Sequence, residues 1–261
     1  MDQYSQLISR NWAFIDKELQ FKLKDVVLCF IGCGLGSNIA ALSVRLGFEK
    51  FILVDFDEVE ISNLNRQPFT LEHISQKKTD AIEDYIKKIN PKANVVKYTK
   101  KVTTSDIEEI TNKADYIINT IDVDEVYYCI TELAREKNKK VFLPFNIGFG
   151  GILFFFDNKS PYLKEMTGNK IINSEQEFYR SLYKNLDKKN LPSYIREVAP
   201  KILSEISSGK PNPQLCIASN IISALVITAI VRLEGDLPVD RSPKPIICDA
   251  NNLLYNSDSW L

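Results

Sequence analysis

The residues best placed to do chemistry are a glycine-rich turn, a carboxylate spaced downstream of it, and a basic motif that follows. The turn is Gly32-Cys33-Gly34-Leu35-Gly36-Ser37. It lies between an apolar run, Val26 to Ile31, and a stretch with helical spacing. Glycine lets the backbone approach a phosphate closely, and a helix N-terminus supplies N–H donors and a positive dipole. Glycine turns join strands to helices in many folds, so the loop alone does not define a nucleotide site. Asp55 strengthens it. It falls 19 residues after Gly36, at the end of a second apolar run, where a carboxylate can accept from ribose hydroxyls.

The sixth position of the turn discriminates. A dinucleotide fingerprint wants glycine there for close helix–strand packing. This chain has Ser37, which weakens a nicotinamide or flavin dehydrogenase reading without removing it. Beyond Asp55 the chain reads Asp55-Phe-Asp57-Glu-Val-Glu-Ile-Ser62-Asn63-Leu-Asn-Arg66-Gln67. Arg66 offers a two-pronged fork to phosphate oxygens, and Asn63 can donate beside it. By composition alone the same stretch also reads as a solvated loop.

The elements that position these residues follow from hydrophobic period. Residues 4–24 carry helical spacing. Short apolar runs at 26–31 and 116–119 read as buried strands, and 51–54, 94–98 and 141–144 as further strands. Helical patterns at 38–46, 77–89, 105–112 and 126–137 separate them. The alternation predicts an α/β fold: a doubly wound, mostly parallel, Rossmann-like sheet with helices on both faces. An antiparallel C-terminal extension is expected from Ile152–Phe156 and a last strand at Pro245–Cys248. Residues 157–213 are charged, hold five prolines, and read as short helices and loops over the sheet. The run 214–233 is apolar on nearly every face, yet Ser219, Asn220, Ser223 and Thr228 interrupt it. A core or dimer-interface helix fits it better than a membrane span. The expected organisation is a single domain over 1–261, with a nucleotide core at 25–156, a variable segment at 157–213, and the apolar helix and strand at 214–261.

Composition removes several classes. The chain has 261 residues, 44% hydrophobic and 26% charged, ordinary for a globular protein. Its 33 basic side chains nearly cancel 34 acidic ones, so no net field favours nucleic acid or a membrane surface. His73 is the lone histidine, which argues against a Ser-His-Asp hydrolase. Five cysteines (Cys29, Cys33, Cys129, Cys216, Cys248) form no C-x-x-C pair. They read as free thiols in a reducing cytosol, and no structural zinc is expected. The N-terminus shows no apolar secretory segment, so a cytoplasmic location is expected.

The glycine turn, the Asp55 to Gln67 string and a later lysine together resemble the ThiF/MoeB/HesA adenylating enzymes, relatives of the ubiquitin-activating enzymes. The likeness covers about residues 4–156, with a weaker echo at 214–233. It implies an ATP-dependent adenylyltransferase that activates a carboxylate: the C-terminus of a ubiquitin-like sulfur carrier or of a precursor peptide. The resemblance places ribose binding on Asp55 and phosphate contacts on Asn63 and Arg66, with Gln67 completing the motif. Gly32, Gly34, Gly36 and Asp57 fall in the same nucleotide-binding set. Lys78 is the implied phosphate lysine, with Lys77 as rival. Asp122 is the implied magnesium ligand, with Asp124 as rival. Arg10 matches an arginine that reaches into a partner subunit's site, which implies a homodimer. The implied cofactors are ATP and Mg²⁺.

The chain departs from the family in lacking the paired C-x-x-C zinc motif, which assigns it to a zinc-free branch. Cys216 is expected as a small buried thiol at a helix start, with an acyl-accepting role as the alternative; Cys33 is explained by its small size in a tight turn. Tyr162, Tyr179, Tyr183 and Tyr194 either clamp an extended peptide or pack amphipathic helices. Two other functions remain as alternatives: a catalytically silent nucleotide- or ubiquitin-like-protein-binding scaffold, and an NAD-dependent oxidoreductase.

Overall fold

The computed structural model describes residues 2–186, 189 and 191–254. Seven strands form one sheet: β1 Val27–Ile31, β2 Lys50–Val54, β3 Asn94–Tyr98, β4 Tyr116–Asn119, β5 Lys140–Ile147, β6 Gly150–Phe156 and β7 Ile246–Asp249. Their order is β3-β2-β1-β4-β5-β6-β7. β1 to β5 run parallel, and β6 and β7 add antiparallel. The helices are α1 Gln3–Leu7, α2 Lys17–Asp25, α3 Leu35–Leu46, α4 Lys78–Ile89, α5 Thr104–Thr111 and α6 Glu125–Glu136. They are followed by α7 Leu163–Met166, α8 Glu175–Asn185, α9 Ser193–Ser207, α10 Cys216–Glu234 and α11 Ala250–Leu254.

Both faces of the sheet are covered, and strand alternation decides which residues go where. Leu28 and Phe30 of β1 join a core with Ile39 and Val44 of α3, Ile82 of α4, and Ile222 and Val226 of α10. Cys29 and Ile31 face the other way, into a core with Ile107 of α5, Ile130 of α6 and Phe178 of α8. Strands buried on both faces read as unbroken apolar runs, which is why they were legible.

Three elements differ from the sequence expectation. The N-terminal helical pattern breaks into α1 and α2, and Asn11 from the stretch between them joins Tyr4 of α1 and Gln20 of α2 in capping α3. Asn11 Nδ2 donates to the Leu46 carbonyl at 3.1 Å, and Gln20 Nε2 donates to it at 2.9 Å. The Tyr4 hydroxyl donates to the Gly47 carbonyl at 3.0 Å. The last carbonyls of a helix have no partner within it, and these three side chains supply one. Second, α3 starts at Leu35 rather than 38, inside the glycine turn. Third, β5 runs on to Ile147 because it pairs antiparallel with β6 over its whole second half.

The apolar run became α10, which is long and apolar enough to cross a membrane by length and composition. It packs against α3, β5 and β6. Ala218, Ser219, Ile222, Ser223, Val226 and Ile230 are the buried side, and the small residues allow close approach to the sheet.

Candidate active site

A cavity of about 340 Å³ opens at the C-terminal ends of β1, β2, β4 and β5, where the strand order reverses. Such a switch point is where open α/β sheets bind ligands. Its floor is the glycine turn. Gly32 has φ 97°, and a Cβ there would lie 2.7 Å from Thr120 Oγ1 and 2.8 Å from the Thr120 carbonyl. Only glycine satisfies both the backbone angle and the space. The Thr120 N–H donates to the Ile31 carbonyl at 2.8 Å, clamping the turn against β4. Gly36 lies on β1, with Phe30 Cβ 3.5 Å from where its own Cβ would be. So Gly36 supplies the close helix–strand packing that the sixth position supplies in dinucleotide folds. Ser37 is released to donate its hydroxyl to the Gly34 carbonyl at 2.7 Å.

Asp55 closes the turn from the β2 side. Its Oδ2 accepts from the Cys33 N–H at 2.6 Å and its Oδ1 from the Asp57 N–H at 2.8 Å. The carboxylate thus fixes the loop as well as facing the cavity. Lys78, the first residue of α4, is buried and donates Nζ to Asp57 Oδ2 at 2.8 Å. Lys77 instead pairs with Glu58 at 3.2 Å and lies outside the cavity lining. Of the two lysines, the fold turns Lys78 inward. Asp57 therefore holds Lys78.

Arg66 lines the same cavity. Its Nε donates to Gln214 Oε1 at 2.6 Å, and its Nη1 donates to the Ser62 carbonyl at 2.8 Å and to Asn65 Oδ1 at 2.7 Å. Burial pushes its pKa down, yet a guanidinium stays charged in proteins. Asn63 is buried, and its Oδ1 accepts from the Glu60 N–H at 3.0 Å, fixing the turn that presents Arg66. Gln67 is buried with Oε1 unpartnered. Asn38, on α3, donates Nδ2 to the Arg66 carbonyl at 2.7 Å, tying this turn to the glycine helix.

The acids after β4 separate by role. Asp124 is the N-cap of α6 and accepts from the Tyr127 N–H at 3.0 Å. Asp122 is exposed in the cavity wall. Among the described residues no three His, Cys, Asp or Glu gather into a ready-made metal cluster. Mg²⁺ is usually held through one or two carboxylates together with substrate phosphates and water, so a single open Asp122 beside a phosphate-sized cradle fits that ion. Arg10 is exposed on the stretch between α1 and α2 and does not line this cavity.

Sequence reading missed part of the wall. Lys100 and Lys101 follow β3, and Asn119 and Thr120 end β4. Their strand-end positions were the available signal. Glu175, Asn212 and Gln214 carried none, since only folding decides which residues of this charged stretch reach the cavity. Of the four tyrosines, Tyr179 lines the cavity and Tyr183 packs on the core beneath it. Tyr162 lies under Arg135 at 4.6 Å. The Tyr194 hydroxyl donates to Asp249 and accepts from the Phe149 N–H, tethering α9 to the sheet edge. The thiols also needed correction: Cys216 is exposed, not buried. It occupies the outward face of α10, one turn from exposed Asn220, while residues 218, 219 and 222 point inward. Cys33 is fully buried, and burial raises its thiol pKa well above the ordinary value.

A family model described as the ThiF family matches residues 4–234. The chain belongs to the ThiF family. Its relatives include ubiquitin-like modifier-activating enzyme 5 of Drosophila ananassae, 28% identical over 148 residues, covering 52% of this chain and 37% of that protein. The Bombyx mori counterpart is 28% identical over 151 residues, covering 53% and 38%. The chain thus spans little more than a third of the length of these curated relatives. Among solved structures, PaaA superposes with TM-score 0.69 at 18% identity, covering 96% of this chain and 79% of that one. MccB of E. coli solved with ATP gives 0.70 at 18%, covering 96% and 69%. The ThiF-family fold thus extends across the 157–213 segment and α10.

Proposed function

We propose that this ThiF-family protein uses ATP to adenylate a carboxylate. One observation carries the reading: the glycine turn, Asp55, Lys78 and Arg66 line a single cavity at the sheet's switch point. A carboxylate is already ionised near neutral pH, so its attack needs no general base. A carboxylate oxygen forms a bond to the α-phosphorus, the bond from that phosphorus to the bridging oxygen breaks, and pyrophosphate leaves with the electron pair. The obstacle is two anions meeting, and fixed positive charge overcomes it. Arg66 and Lys78 are held in place by Gln214 and Asp57 before nucleotide arrives, so little reorganisation is needed. Asp122 would hold Mg²⁺, which neutralises phosphate charge when bound.

The acceptor carboxylate is the C-terminus of a ubiquitin-like carrier or of a precursor peptide. Supporting the first are the ubiquitin-like modifier-activating relatives. Supporting the second is the likeness to MccB, solved with the peptide MccA and AMPCPP. The working assembly is a cytoplasmic homodimer with Arg10 entering the partner's cavity, which accords with its position outside its own. The test is ATP–pyrophosphate exchange. With ATP, Mg²⁺, labelled pyrophosphate and candidate carriers or peptides, label should enter ATP only when a free C-terminus is present. No exchange with any carboxylate, although nucleotide binds, overturns the reading in favour of a silent scaffold.

A further inference from the structure

Between α9 and α10 the chain crosses to the cavity as an irregular strap, residues 208–215. Asn212 and Gln214 of this strap form part of the cavity wall. The strap is lightly held. Pro211, Pro213 and Leu215 are exposed, and the two prolines bring no N–H donor. At one end the Gly209 and Lys210 N–H groups donate back to the Ile206 and Glu205 carbonyls of α9, at 3.0 and 3.2 Å. At the other the Leu215 carbonyl accepts from the Ser219 N–H at 3.1 Å as α10 begins. Among the described residues, hydrogen bonds reach 211–214 from one place, the turn that carries Arg66.

Those bonds close a ring of three residues. Arg66 Nε donates to Gln214 Oε1 at 2.6 Å, Asn65 Nδ2 donates to the Gln214 carbonyl at 3.1 Å, and Arg66 Nη1 donates to Asn65 Oδ1 at 2.7 Å. A guanidinium only donates and a backbone carbonyl only accepts, so the facing of both amides is settled. Arg66 thus takes part of its orientation from a residue 148 positions along the chain. The strap in turn takes its mid-span anchorage from a cation of the cavity. A segment with little burial and few bonds opens easily, so breaking the ring frees the strap and the guanidinium together. The acceptor is also neutral. A carboxylate at 214 would hold the guanidinium but offset its charge, whereas an amide holds it and leaves that charge for phosphate.

We propose that Gln214 is a positioning residue: it sets Arg66 for the nucleotide's phosphates and, through the same ring, couples closure of the 208–215 strap to nucleotide binding. This rests on Arg66 meeting the phosphates, as the adenylation reading has it. Coupling of this kind is reciprocal. A closed strap orients the arginine, and a nucleotide that restrains the arginine holds the strap closed.

The test combines hydrogen exchange of the strap with pyrophosphate exchange. In the parent, saturating AMPCPP with Mg²⁺ should slow exchange of the strap amides by about tenfold. Gln214→Met keeps the length and removes the oxygen. Its strap should exchange fast with or without nucleotide, and its kcat should fall about tenfold or more while the melting temperature stays near the parent's. Gln214→Glu keeps an acceptor and adds a charge. Its strap should be as protected as the parent's, with the loss now in the KM for ATP, raised about tenfold and reduced by salt. Strap protection in the parent that ignores bound nucleotide overturns the proposal, as does a parental kcat in Gln214→Met. A parent that shows the protection yet exchanges pyrophosphate with no carboxylate upholds the coupling and overturns adenylation.

Discussion

At the scale of single residues, Arg66 is the most constrained cation in the cavity. Three acceptors hold its guanidinium plane, so its geometry, and not merely its charge, is set. Lysine supplies a point charge without the fork. Arg66→Lys should therefore lower the exchange kcat by about 10²–10³-fold, the usual cost of removing one aligned donor, with the melting temperature little changed. A rate within about twofold of the parent would show that the fork is unused. The cysteines give a second residue-level outcome. Cys29 is buried, which pushes its thiol pKa up to about 12, and burial raises that of Cys33 as well. Cys216 is exposed. Thiolate is the reactive species, so brief alkylation followed by peptide mass mapping should label Cys216 and spare Cys29 and Cys33 until the protein unfolds.

At the scale of elements, the glycine turn and the α5 entry carry separate predictions. Gly32→Ala demands a left-handed backbone from an alanine and drives its Cβ into Thr120. Strain of this kind costs about 1–3 kcal/mol, which thermal unfolding should report as a drop of several degrees, accompanied by loss of nucleotide binding. Unchanged stability would mean the turn relaxes freely. Asp106 caps α5 by accepting from the Thr103 N–H at 2.8 Å, and it pairs with Lys100 at 2.7 Å. Lys100 first, then the Thr103 backbone, lowers the Asp106 pKa to about 2 from the ordinary 3.8. A carboxylate with a depressed folded pKa contributes stability above its unfolded pKa and loses it as pH falls through the folded one. The gap in melting temperature between the parent and Asp106→Asn should thus be constant above about pH 4 and close by about pH 2. A gap that persists in stronger acid would point to the side chain's shape, not its charge.

For the whole molecule, the position of Arg10 decides the next experiment. It is exposed and away from its own cavity, as an arginine serving a second subunit must be. Arg10→Ala and Asp122→Ala should each abolish exchange alone. Mixed after dissociation and reassembly, they should recover about a quarter of parental activity, because one of the two sites in a mixed dimer is intact and half the dimers are mixed. Failure to complement, with mixed dimers verified by mass, would return Arg10 to a role within its own chain or to none.

What sequence alone determined were the features with local physical causes. Apolar runs buried on both faces marked β1, β2 and β4, the glycine spacing marked a strand-to-helix turn, and the string from Asp55 to Gln67 pointed to the family. The preference for Lys78 over Lys77 and for Asp122 over Asp124 came from the family resemblance, since near-adjacent residues share composition; the fold turns Lys78 inward, and it leaves Asp122 exposed while Asp124, lining the same cavity, caps α6. The sequence broke no helix at residues 8–16, since the partner of Asn11, the Leu46 carbonyl at the end of α3, lies more than thirty residues away. Part of the cavity wall was invisible for the same reason. Asn119, Asn146 and Glu175 become neighbours of one space only when β4, β5 and α8 converge, and chain separation that large leaves no periodic trace.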